Sequence, residues 1–255
     1  MSDLEKRLTK ALTHITDFTN RAGELISKIT VKDLIEEGGI NPYMIAALGI
    51  DDIENVVELF VYRRVERSLG TSFGNAIEAF LRDLLGGVSG RDFDKRCKKK
   101  DVSRKPWICW WDIVIPKETT KDGKAYKGIV ISVKSGPADI NKDIIKMFIQ
   151  YTKEAEENGY KAYLVLTYGR QAFNVAVSTL RNEGLDPKKY LLVGRDIFRE
   201  FLGDPNYYDH VINTIRTVSK KVDVFRLIEK KVTELTEELK RRYGNDIDKI
   251  LRQLS

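Results

Sequence analysis

Histidine and cysteine are the scarcest sources of chemistry in this chain, with two of each among 255 residues. His14 and His210 both sit in helical patterns with no nucleophile motif, so a Ser-His-Asp triad or a histidine-based nuclease has no support. Cys97 and Cys109 form no CxxC, which argues against a zinc site or a disulfide framework and fits a reducing cytoplasm. Neither GxxxxGK[ST] nor GxGxxG occurs, so nucleotide-driven chemistry has no support either. No apolar run approaches the roughly 18 residues of a membrane span, and the opening residues lack a signal's apolar region. The expectation is a soluble, cytoplasmic protein with no membrane partner. Low-complexity tracts, internal repeats and flexible linkers are also missing.

Hydrophobic residues make up 42% of the chain, enough to fill a core of this size, so disorder is not expected. Basic residues outnumber acidic ones 44 to 38, a formal charge of +6. That modest excess is compatible with a nucleic-acid partner without demanding one.

The apolar residues Leu4, Leu8, Ala11, Ile15, Phe18, Ala22, Leu25 and Ile29 step by four and three, predicting a long helix with a heptad-like seam. Shorter helices follow over 30–37, after Asn41-Pro42, and after Asp51 or Asp52. Thr71 then reads as the hydroxyl cap of a separate helix, with Phe73, Ile77, Phe80, Leu81 and Leu84 on its apolar face and Gly86-Gly87 beyond its end. After a central hairpin come a helix over 140–158 stopped by Gly159, a buried strand over 161–168, a helix over 173–181, a strand over 190–193 and a helix from Gly194 to near Gly203. This β-β-α-β-α-β order predicts an α/β fold, a mixed central sheet with flanking helices. Phe225, Ile228, Val232, Leu235 and Leu239 predict a long C-terminal helix. The expected segments are a helical region at 1–66, a core at 67–221, and a helix at 222–255 packing on the helical region. Two long seams exceed what one core needs, which points to a homodimer.

Residues 107–115 and 128–134 are rich in β-branched and aromatic side chains, and Asp122-Gly123 between them is a strong hairpin signal. A fold-back about that turn sets Asp112 opposite Ser132, and alternation puts Val130, Ser132 and Lys134 on one face. A carboxylate, a hydroxyl and an ammonium then converge on an otherwise apolar hairpin, where charge is costly unless paired or metal-bound. Alternation also places Trp110 on the Asp112 side and Trp111 toward the core. The basic run of Lys95, Arg96, Lys98, Lys99 and Lys100, with Arg104 and Lys105, suits either a solvated loop or contacts to duplex phosphates. Glu78, at the edge of its helix's apolar face, reads equally as a surface glutamate or as a site acid.

An Asp on one strand followed by x-Lys at the end of the next resembles the PD-(D/E)XK nucleases. The stretch Val133-Lys134-Ser135-Gly136-Pro137-Ala138-Asp139-Ile140-Asn141-Lys142-Asp143 resembles one branch of the type II restriction endonucleases. Asn41-Pro42, Thr71-Ser72-Phe73-Gly74 with Ile77-Glu78, and Gly194-Arg195-Asp196-Ile197-Phe198 extend that resemblance over most of the chain. Trp111 stands where Pro usually precedes the Asp, and Ser132 where an acid usually precedes x-Lys. The resemblance implies a Mg²⁺-dependent, sequence-specific endonuclease acting on double-stranded DNA as a homodimer, with no nucleotide cofactor. It implies Asp112 as central metal ligand, the Val133 carbonyl as a second, and Lys134 as the group that holds or activates the attacking water. Glu78 becomes the first candidate for the acid missing at Ser132, ahead of Asp143 and Asp139. Ser135 and Asn141 join the basic run as DNA contacts. Two other readings stay open: a structure-specific or repair nuclease on the same core, and a non-catalytic DNA-binding module whose degenerate site Ser132 would mark.

Overall fold

The computed structural model describes residues 1–37, 39–99, 105–170, 174–219 and 222–253. The chain divides into two compact units, residues 1–15 with 74–218 and residues 16–73 with 219–255. In order, its helices are α1 (Asp3–Ser27), α2 (Val31–Ile35), α3 (Pro42–Ala47), α4 (Ile53–Leu85), α5 (Gly90–Phe93), α6 (Lys142–Glu157), α7 (Asn174–Asn182), α8 (Pro187–Tyr190), α9 (Arg195–Leu202), α10 (Tyr207–Ser219), α11 (Val224–Tyr243) and α12 (Ile247–Gln253). The strands are β1 (Ile113–Ile115), β2 (Thr119–Lys121), β3 (Lys124–Tyr126), β4 (Gly128–Lys134), β5 (Tyr160–Leu166) and β6 (Leu191–Val193).

Strands β4 and β5 are apolar runs buried along nearly their whole length, as strands covered on both faces must be. They form the centre of a four-stranded sheet in the order β1-β4-β5-β6. β1 runs antiparallel to β4, and β4, β5 and β6 are parallel, so the sheet is mixed as expected. Helix α6 makes the crossover from β4 to β5. Asn141 caps it by accepting from the Ile144 N–H at 2.9 Å, and Ile145, Phe148, Ile149 and Ala155 give it one buried stripe. That stripe shares a core with Val130 of β4 and Ala162 and Leu164 of β5.

The turn at Asp122-Gly123 has positive φ at both residues, 51° and 74°, the geometry that asparagine, aspartate and glycine tolerate best. It closes a separate two-stranded ribbon, β2 with β3, standing beyond the main sheet. The strand expected over 107–115 is shorter than its composition suggests. Residues Trp107–Trp110 form a 3₁₀ turn, and only Ile113–Ile115 pair with β4. Aromatic packing wins over strand propensity there. Trp110 stacks on Tyr151 with ring centroids 5.0 Å apart, and Trp111, 1% exposed, meets Phe148 edge-on. Trp110 therefore owes its position to the turn rather than to strand alternation.

The separate helix expected to begin at Thr71 is part of the 33-residue α4. The Thr71 hydroxyl donates to the Arg67 carbonyl within the helix at 3.2 Å instead of capping its start. Gly70 and Gly74 each cost about 1 kcal/mol in a helix interior. Buried Phe60, Val61 and Val65 before them, and Ile77, Phe80, Leu81 and Leu84 after them, outweigh that cost.

The cysteines also depart from expectation: Cys97 and Cys109 form a disulfide, with Cα atoms 5.4 Å apart. A sequence separation of 12 says nothing about spatial approach; the 3₁₀ turns at Lys95–Lys98 and Trp107–Trp110 supply it. The bond removes cysteine usage as an argument for a reducing compartment. Among the described residues, no helix is long and apolar enough to cross a membrane.

The terminal seams are consumed internally. In the unit that joins residues 16–73 to 219–255, Ile26 and Ile29 share one core with Ile228, Val232, Leu235 and Leu239. Leu8, Ala11 and Ile15 are buried as well, while Phe225 is 69% exposed. Surplus seam therefore gives no argument for a second copy, because most of its residues already have partners within the chain.

Candidate active site

Asp112 immediately precedes β1, and its N–H donates to the Ile131 carbonyl at 3.1 Å. The pairing of Ile113 with Ile131 sets Asp112 level with Ser132, as the hairpin predicts. Its Oδ2 accepts from the Val133 N–H at 2.7 Å and from the Ser132 hydroxyl at 3.3 Å. Ser132 is 1% exposed, so its hydroxyl is committed to an interior contact. Because Val133 donates toward β1, backbone alternation puts its carbonyl on that same edge, beyond the last paired residue of β1.

Burial raises the Asp112 carboxyl above its ordinary pKa; the Lys134 ammonium, the Val133 N–H, the Ser132 hydroxyl and the Arg91 guanidinium oppose that rise. Glu78 of α4 is raised too, first by burial and then by the negative charge of Asp112. Arg82, Lys134 and Arg91 oppose it, and the Arg82 guanidinium donates to the Glu78 carboxylate at 3.4 Å. The fold thus brings Asp112, Ser132, Val133, Lys134 and Glu78 into one electrostatic neighbourhood. Two partly buried carboxylates repelling one another gain most from a cation that both can share.

The other acids are occupied elsewhere. Asp139 accepts from the Ser135 hydroxyl and, at 3.2 Å, from the Gly136 N–H, which closes its own loop. Asp143 lies exposed in the first turn of α6, where a carboxylate complements the helix terminus. Among the described residues no group of three His, Cys, Asp or Glu side chains gathers. The available donor set is two carboxylates and the Val133 peptide oxygen. Hard oxygen donors of this kind fit Mg²⁺, which binds through one or two carboxylates and keeps other positions for water and phosphate.

Of the expected DNA contacts, Lys95, Arg96, Lys98 and Lys99 are exposed in and after the 3₁₀ turn. Two are matched by acids: Arg96 pairs with Asp94 and Lys98 with Asp92, each at 2.6 Å. Lys100 and Arg104 lie outside the described residues. Ser135 donates to Asp139, and Asn141 is the cap of α6, so both already have structural partners.

Sequence reasoning missed Arg82 and Arg91. An arginine four residues after Glu78 is a weak signal for the first; nothing local marks the second. It also began the near-continuous apolar strand at Lys161 without assigning that lysine a role, and the structure buries its side chain to 3% exposure within β5. The Lys161 ammonium sits 4.2 Å from the Tyr190 ring centroid, with Asp122 at 4.0 Å. Burial lowers its pKa. Lys161 pairs in register with Ile129, at the end of the sheet away from Ser132.

No protein-family profile matches the chain, and no curated protein matches it in sequence.

Proposed function

We propose that the protein is a Mg²⁺-dependent, sequence-specific endonuclease that hydrolyses phosphodiester bonds of double-stranded DNA, of the type II restriction class. The observation that supports this most is the convergence of Asp112, Lys134 and Glu78 about one pair of strands, with both carboxyls raised by burial. Asp112, Glu78 and the Val133 carbonyl would hold the metal. Bound there, Mg²⁺ supplies Lewis acidity at the scissile phosphate. Lys134, at the end of β4, would hold the attacking water and favour its deprotonation. The Val133 N–H and the Ser132 hydroxyl fix the Asp112 carboxylate, so its free oxygen keeps one orientation. Cutting both strands of a palindromic site calls for two copies about a two-fold axis, hence a homodimer in the cytoplasm. That inference rests on the reaction, not on the helical seams.

The test is digestion of long duplex DNA with and without Mg²⁺, followed by sequencing of the fragment ends. Discrete fragments with a common terminal sequence support the reading; nicking confined to branched DNA would favour a repair nuclease. The buried Ser132, where an acid would strengthen the site, favours one second reading: a DNA-binding module without cleavage. Duplex binding with no Mg²⁺-dependent cutting would establish it.

A further inference from the structure

The segment before α5 is fixed along the outer edge of β1. Val88 and Val114 exchange N–H···O bonds of 2.9 and 2.7 Å, and the Gly90 N–H donates to the Trp111 carbonyl at 3.0 Å. The contact at Gly90 is close: a Cβ there would lie 2.0 Å from the Ile108 carbonyl oxygen and 2.8 Å from that of Trp111. Only glycine lets the two backbones approach this far. Asp112 is therefore flanked on one edge by Ser132 and Val133 of β4 and on the other by Gly90 and Arg91. A tight turn holds Arg91 in place, since Ser89 caps α5 by accepting from the Asp92 N–H at 3.1 Å.

Three neighbouring cations are matched to acids, Arg82 to Glu78, Arg96 to Asp94, and Lys98 to Asp92. Arg91 is exposed and makes no ion pair among the described residues, although its charge is felt by both Asp112 and Glu78. A phosphodiester approaching two carboxylates is repelled by them, so a fixed cation beside the site is what the substrate needs. A guanidinium can meet two non-bridging phosphate oxygens at once, which a lysine ammonium cannot.

We infer that Arg91 contacts the scissile phosphate, its backbone placed next to the Asp112 strand by the Gly90 contact and its exposed guanidinium left without an ion pair among the described residues, open to a bidentate anion. This rests on the nuclease reading.

The experiment takes the duplex sequence recovered from end-sequenced digests and measures its binding in Ca²⁺ over a range of salt, for wild type, Arg91→Ala and Arg91→Lys. Losing one phosphate contact per protomer, two in the proposed homodimer, should reduce the slope of log K against log salt by about 1.8 in Arg91→Ala. Arg91→Lys should keep the slope. At saturating Mg²⁺, kcat should fall at least about tenfold in Arg91→Lys and further in Arg91→Ala, because bidentate geometry is lost before charge. An unchanged slope in Arg91→Ala, with a lower Mg²⁺ requirement, would mean that Arg91 only tunes the two acids, and would overturn the inference while leaving the nuclease intact. Wild type that yields no digest overturns the nuclease reading, and Arg91 with it. Because Arg91 is exposed, a single cooperative melting transition should accompany each variant.

Discussion

Asp112→Asn should make the metal-free protein more stable at pH 7, not less. A carboxyl whose pKa is raised by folding subtracts from stability wherever it is ionised. The subtraction disappears as pH falls through the raised folded value toward the ordinary one of about 3.9. An uncompensated buried ion would cost several kcal/mol. Here Lys134, Arg91 and the 2.7 Å bond from the Val133 N–H return part of that cost. Asparagine keeps an oxygen for Val133 and discards the charge, so the net gain should be on the order of 1 kcal/mol. For a chain of this size that is a rise of roughly 2–4 °C in Tm. Thermal melts of both proteins in EDTA, from pH 7 down to pH 4, provide the assay, with the difference shrinking toward acid pH. Mg²⁺ at about 100 times Kd should then stabilise wild type by about 2.7 kcal/mol and leave Asp112→Asn unmoved. If Asp112→Asn melts lower than wild type at pH 7 in EDTA, Asp112 is a structural cap on β4, and the argument for a metal-holding carboxylate fails.

Glu78→Gln should raise the Mg²⁺ concentration needed for half-maximal cleavage while leaving duplex binding in Ca²⁺ intact, and Ser132→Glu should keep or lower that requirement; an unchanged Mg²⁺ titration in Glu78→Gln removes Glu78 from the site. Reduction of the Cys97–Cys109 bond, which spans a separation of 12 residues, should cost about 3 kcal/mol, read as a lower Tm in dithiothreitol. Light scattering in dilute buffer should give twice the 29.3 kDa of one chain, and a single-chain mass would sink the homodimer.

What could be read from the sequence was what depends on local pattern. Asn141 and Gly159 bracket α6 because capping and chain reversal are short-range chemistry. β4 and β5 stood out as apolar runs, and the Asp122-Gly123 turn with its flanking strands put Asp112 level with Ser132. Errors arose where tertiary packing overrode local preference. Thr71 looked like the hydroxyl cap of a separate helix, yet α4 runs on through it from Ile53 to Leu85. Trp107 to Trp110 looked like strand, yet their rings are better buried from a 3₁₀ turn. The Cys97–Cys109 bond and the position of Arg91 depend on two segments meeting in space, and no spacing rule announces such a meeting. Glu78 is the intermediate case. Its place at the edge of an apolar face left two roles open, and burial together with the charge of Asp112 raises its carboxyl.

The central claim is that Asp112 and Lys134 form a hydrolytic centre for duplex DNA. Its most direct test runs wild type, Asp112→Ala and Lys134→Ala, each verified as folded, on the same long duplex in Mg²⁺ and in EDTA. The account predicts discrete fragments from wild type in Mg²⁺ alone, with rates lower by at least about two orders of magnitude in both variants. Cutting at near wild-type rate by either folded variant would contradict it.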